Sequence, residues 1–309
     1  MSTALRIALT GATSGIGAAL GEALAADKHT VFVCARRGDR LMKMTGRNSG
    51  MLGHACDVTD EEQVAQFVAW MKGHTAHLDA LINCAGILRA IGPLETTSSK
   101  EWFEVVRTNL FGTYLMIKHA LPLLDGSDAP RIINFSGGGA FNPFPNYSAY
   151  ACSKAGVVRL TESLAVEFAA RGVRVNAVAP GFVRTPIHEA TLDAGPERAG
   201  TEQFTFTLKA MQSTKSPDVV VECVRFLLSS ASDALTGKTI SANYDPWNEP
   251  EFVRSLDQIV DSDLFTLRRT MSAPDAPPEL TKLLERGERE RPSLLDRRPR
   301  VEARRAKKG

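Results

Sequence analysis

Over its first two-thirds the chain alternates short, nearly continuous apolar runs with longer stretches whose apolar residues recur every three to four positions. The short runs predict strands over Arg6–Thr10, Thr30–Cys34, Met51–Ala55, Ala80–Asn83, Arg131–Phe135 and Val173–Ala179. Runs such as LRIALT and DALINCAG lack polar alternation, as expected of strands buried on both faces. Helical spacing covers Ile16–Ala26, Glu61–Lys72, Lys100–Leu124, Ser148–Arg171 and Pro217–Ser229. Strand and helix in alternation, joined by right-handed crossovers, predict an α/β fold with a doubly wound parallel sheet.

The segment Phe182–Lys215 breaks that rhythm with Thr, Gly and Pro and reads as a candidate mobile lid. Three units are expected: a main domain over 1–245, a C-terminal extension with an amphipathic helix over 246–272, and a disordered basic tail over 273–309, with a short helix at Pro278–Arg289. The net charge of +2 hides an asymmetry, because eleven Lys/Arg against six Asp/Glu lie between Glu279 and Gly309. Without interleaved aromatics or a binding fold, that tail reads as solvated rather than as a nucleic-acid contact. No membrane-length apolar stretch is present, and the opening residues run straight into a strand without a leader pattern, so the expected location is the cytoplasm. The five cysteines form no CxxC pair and the six histidines show no metal-ligand spacing, so neither a disulfide framework nor a metal site is expected.

Chemistry enters at LRIALTGATSGIGAALGEALA, which sets Gly11, Gly15 and Gly17 between a strand and a helix. Glycines there let a pyrophosphate approach the amides of a helix N-terminus. Thr10, Thr13, Ser14 and Ile16 stand where they orient the turn or donate to phosphate. The spacing TGxxxGxG, with further matches in order to about Ile240, resembles the short-chain dehydrogenase/reductase family, over some three-quarters of the chain. The resemblance implies a Rossmann-type fold, a nicotinamide cofactor, and a homodimer or homotetramer paired through the helices at Lys100–Leu124 and Ser148–Arg171.

The second predicted strand ends in VFVCARRGDRL. NAD-preferring relatives carry Asp where Ala35 stands here, and Arg36 and Arg37 follow, which suits the extra phosphate of NADP(H); NAD(H) is the alternative. The resemblance sets Asp57 and Val58 against the adenine, and Pro180, Gly181, Val183 and Thr185 beside the nicotinamide. NCAG matches the family's NNAG with Cys84 in place of the second Asn; Asn83 then braces the sheet while Ala85 and Gly86 admit backbone contact with the cofactor.

Tyr150 and Lys154 in YACSK lie four residues apart on one helix face. A phenol ordinarily ionises near ~10, and an adjacent ammonium favours its ionised form, which suits general acid/base work. Lys154 is also expected to hold the nicotinamide ribose. Asn109 in VRTNLFGTY matches the family's catalytic asparagine, which distorts its helix so that water relays protons to the lysine. The family's serine falls thirteen residues before the tyrosine, where this chain has Gly137. Either Ser136 substitutes, helped by the glycines that follow, or the role is vacant. Tyr147 lacks a lysine partner and is expected on the substrate side.

The family's closing TGQ…VDGG is here TGKTISANYDPWNEP, which predicts an altered pocket rim with Trp247 as an anchor for the extension. The reading is an NADP(H)-dependent oxidoreductase acting on CH–OH groups of a small-molecule carbonyl/alcohol pair. The rival is a cofactor-binding sensor or assembly partner with little turnover. Nucleotide-sugar chemistry fits less well, because the opening turn resembles the shorter dehydrogenase branch.

Overall fold

The computed structural model describes residues 4–212 and 216–267. Seven strands pair in parallel: β1 (Arg6–Thr10), β2 (Thr30–Ala35), β3 (Met51–Ala55), β4 (Ala80–Asn83), β5 (Arg131–Phe135), β6 (Arg174–Ala179) and β7 (Thr239–Ser241). Their order, β3-β2-β1-β4-β5-β6-β7, reverses direction between β1 and β4. That reversal opens a crevice at the carboxyl ends of the strands, where ligands of doubly wound sheets bind. The predicted strands are thus recovered within a residue at each end, and β7, absent from the expected set, closes the sheet.

Alternate strand residues build two cores. Ile7, Leu9, Val31 and Val33 face α1 (Gly15–Ala26) and α9 (Asp218–Leu228), whereas Ala8 and Phe32 face α3 (Glu61–Lys72), α5 (Gly112–Leu124) and α6 (Ser148–Glu167). Both faces are covered, which is why the strands read as unbroken apolar runs rather than as alternation. The remaining helices are α2 (Gly38–Thr45), α4 (Ser99–Val106), α7 (Glu189–Ala199), α8 (Thr201–Met211), α10 (Pro250–Arg254) and α11 (Leu256–Val260).

Three helical expectations change. The single helix expected over Lys100–Leu124 is α4 and α5 joined by a π-helical turn, Arg107–Phe111, with Asn109 at its middle. One extra residue per turn keeps the same apolar face inward, so periodicity alone does not reveal the interruption. The helix expected to reach Arg171 stops at Glu167; a 3-10 turn follows and Gly172 (φ 69°) ends it. Within the expected lid, α7 kinks at Gly195 (φ 72°) and α8 packs back against α7.

The extension belongs to the larger core rather than standing apart from it. Trp247, Phe252, Leu256 and Ile259 are buried in the same cluster as Leu9 and Val224. The Trp247 indole donates to the Ala242 carbonyl at 3.0 Å and packs near Phe226 of α9, the anchoring role expected of it. Further on, the Thr239 amide of β7 donates to the Phe265 carbonyl at 2.9 Å and Lys238 Nζ donates to the Ser262 carbonyl at 2.6 Å. Trp247→Ala should therefore cost about 3–5 kcal/mol of stability, measurable as a lower urea midpoint. The expected basic tail, 273–309, lies outside the described residues.

Candidate active site

A cleft of about 930 Å³ runs along the carboxyl ends of the strands, from the loop after β2 to the hairpin of α7 and α8. At its centre the β1–α1 turn brings Gly11, Thr13, Ser14, Gly15, Ile16 and Gly17 to the surface of the crevice. Gly11 has φ 72°, and a Cβ on it would fall 2.7 Å from Ala85 Cα. A Cβ on Gly17 would fall 2.3 Å from the Gly11 carbonyl oxygen, so the helix cannot lie this close to the turn with any larger residue. Thr10 ties the two central strands together, its hydroxyl accepting from the Cys84 and Ala85 amides at 3.1 and 3.0 Å.

The donor set fits a dinucleotide. Ser14 caps α1 without a side-chain hydrogen bond, leaving first-turn N–H groups for an anion. Arg36 and Arg37 line the cleft, are exposed, and make no ion pair among the described residues. Asp57, Val58, Ala85, Gly86, Pro180, Gly181, Val183 and Thr185 line it as well. Asn83 does not: its amide donates to Asn134 Oδ1 at 2.9 Å inside the sheet, so it acts as a brace between β4 and β5 rather than as a cleft residue.

Tyr150, Lys154 and Ser136 meet on the cleft wall formed by α6 and the end of β5. Lys154 Nζ donates to the Phe135 carbonyl at 2.8 Å and stands 5.6 Å from the centre of the Tyr150 ring. The expected easing of the phenol by the ammonium is not what governs this pair. Burial pushes Tyr150 up to about 12 and Lys154 down to about 8. Taking either charge out of water is the larger influence on both groups. Near neutral pH the phenol thus keeps its proton, and the lysine remains charged.

Gly137 has a steric consequence: a Cβ at that position would fall 2.5 Å from the Tyr150 hydroxyl oxygen. The phenol rests where the family's serine side chain would begin. Ser136, only 2 % exposed, has a hydroxyl with no hydrogen-bond partner among the described residues, and the residue lines the cleft.

Asn109 is 1 % exposed and does not reach the cleft. Its side-chain oxygen accepts from the Ile87 amide at 2.8 Å, and its Nδ2 donates to the Ile87 carbonyl and to Ser153 Oγ, both at 3.0 Å. It holds the loop carrying Ala85 and Gly86 against α6, which makes its side chain a positioning group.

The far end of the cleft contains residues that no motif signalled: Leu88, Phe182, Ile187, Gln203, Phe206 and Tyr244. Phe182, Ile187, Gln203 and Phe206 lie in the expected lid, and Tyr244 lies in the ANYDPW stretch that departs from the family's ending. Tyr147 lies on this side, stacked on Phe144, with its hydroxyl 3.2 Å from Thr191 Oγ1. His188, expected in a structural role, also lines the cleft; it stacks on Phe182, and burial pushes its imidazole down to about 4. Among the described residues no cluster of His, Cys, Asp and Glu could hold a metal ion, and no helix is long and apolar enough to cross a membrane.

Comparisons with known proteins agree with this architecture. The model of the short chain dehydrogenase family matches residues 6–194. The 3-oxoacyl-acyl-carrier-protein reductase FabG of Thermotoga maritima is 31% identical over 236 residues, covering 75% of this chain and 93% of that protein. The 3beta-hydroxysteroid dehydrogenase 1 of Eggerthella lenta is 35% identical over 242 residues, covering 76% of this chain and 90% of that protein. Among solved structures, an actinorhodin polyketide ketoreductase with NADPH superimposes with a TM-score of 0.69 at 29% identity, covering 78% of this chain and 97% of the other. With its parallel sheet, glycine turn and carbonyl-reducing relatives, the chain is a carbonyl/alcohol oxidoreductase belonging to the short-chain dehydrogenase/reductase family.

Proposed function

We propose that the protein interconverts a carbonyl compound and its alcohol with NADP(H), using Tyr150 as general acid/base and Ser136 as the donor to the substrate oxygen. The observation that carries this reading is that Tyr150, Lys154 and Ser136 line the same cleft as the glycine turn. Bound in the cleft, a dinucleotide would supply the hydride for the carbonyl carbon. Tyr150 gives its proton to the carbonyl oxygen, so the C=O π bond becomes one new C–H and one new O–H bond. Lys154 lies beside the phenol, would hold the ribose of a bound cofactor, and returns the phenol to its protonated state by relay. Asn109 fixes the Ile87 loop against α6. The exposed Phe103, Phe111 and Tyr114 along α4 and α5 support self-association, at least as a dimer.

NADPH consumption across a carbonyl panel tests the reading. Tight NADPH binding without turnover of any carbonyl would favour the sensor alternative. Arg36→Ala should weaken NADPH binding about ten- to a hundredfold and leave NADH binding unchanged, as read by fluorescence titration, because only the extra phosphate loses a charged hydrogen bond. A phenol held protonated beside a lysine of about 8 favours reduction at neutral pH. The kcat/KM for reduction should decline as pH rises past that value, whereas alcohol oxidation should gain, and profiles in both directions check it.

A further inference from the structure

We infer that the substrate is an uncharged, ring-shaped apolar ketone whose carbonyl is its main polar group, and that Phe206 and Tyr244 select it. This inference rests on the carbonyl/alcohol reading above and deepens it. Beyond Tyr150 the cleft is walled by flat aromatic surfaces. Phe144 stacks on Tyr147 at 4.2 Å and 9°, and Phe182 stacks on His188 at 4.1 Å and 19°. Phe206 stands edge-on to Phe182 at 5.7 Å and 89°.

Several polar groups of this end are engaged with one another. Tyr147 bonds Thr191, and Gln203 donates to Thr207 Oγ1 at 3.3 Å. The nearby cation Arg89 faces Glu104 at 3.5 Å. The imidazole of His188 is held neutral by burial and offers a ring face rather than a charge. The cleft's unpaired cations, Arg36 and Arg37, follow β2 on the dinucleotide side. A carboxylate or phosphate at this end would meet no unpaired lining cation among the described residues.

Two aromatic side chains at the mouth are nevertheless left in water: Phe206 is 52 % exposed and Tyr244 is 78 % exposed, while both line the cleft. A ring docking against either of them covers apolar surface that the fold leaves bare, and offset or edge-on ring contact adds to that gain. The reactive carbonyl then finds its two hydroxyl donors, Tyr150 and Ser136, at the inner end.

The test compares tetralone and cyclohexanone with glyceraldehyde, pyruvate and acetoacetyl-CoA in NADPH consumption. Tetralone should exceed the hydroxylated and charged compounds in kcat/KM by about a hundredfold, and Phe206→Ala should raise its KM about tenfold, the loss of one ring contact and its buried area. A preference for pyruvate, glyceraldehyde or the thioester, or an unchanged KM in Phe206→Ala, overturns the inference. Calorimetric binding of tetralone to the complex with NADP⁺ separates this from the hydride-transfer reading. Binding weakened by Phe206→Ala upholds the ring site even if no ketone turns over, and absence of binding overturns it whether or not another carbonyl is reduced.

Discussion

Replacement of Tyr150 by phenylalanine is expected to lower kcat for ketone reduction about 10²–10⁴-fold while leaving NADPH affinity within about twofold. Phenylalanine keeps the ring that packs beside Ala149 and Tyr147, so the fold and the cofactor crevice persist. What disappears is the proton that must reach the carbonyl oxygen as hydride arrives. At about 1.36 kcal/mol per tenfold, the loss corresponds to roughly 3–5 kcal/mol of transition-state stabilisation. Steady-state kinetics paired with a binding titration and a thermal melt distinguishes this outcome from a damaged fold. Turnover undiminished in the variant would remove Tyr150 from the chemistry.

Ser136→Ala should separate stability from activity, with opposite signs. The hydroxyl is buried and unpartnered, an arrangement that costs the free protein about 1–3 kcal/mol. Alanine should leave the urea midpoint unchanged or raise it. The same change removes a donor to the substrate oxygen and should lower kcat by about 10²–10³-fold. A hydroxyl kept at a stability cost and needed for rate is the signature of a functional group. A variant that is more stable and equally active would mean that the serine role is vacant, as Gly137 alone suggests.

Much of the fold was legible because burial on both faces leaves unbroken apolar runs, and Arg6–Thr10, Ala80–Asn83 and Arg131–Phe135 match the observed strands residue for residue. The short α2 at Gly38–Thr45 went unseen because only Leu41 of it is buried. Periodicity did not show the π turn at Arg107–Phe111, because the turn leaves the helix's buried stripe unchanged; only the resemblance at Asn109 implied a distortion there. Glycine spacing and the four-residue step from Tyr150 to Lys154 located the centre of the cleft. Its far end draws Leu88, Phe144, His188, Phe206 and Tyr244 from five separate segments, and such a surface exists only after folding. Spacing reports proximity but not desolvation, and burial is the largest influence on Tyr150.

The Phe265 carbonyl lies on the outer border of β7, where it takes the Thr239 amide. Parallel sheets end in rungs that invite a stranger's backbone, and proteins blunt them in various ways. Here the chain's own later residues act as the stopper. Growth of the sheet by strand addition is therefore shut off at that amide, and the Met51–Ala55 border is the margin where backbone zippering by a visitor has the freer approach.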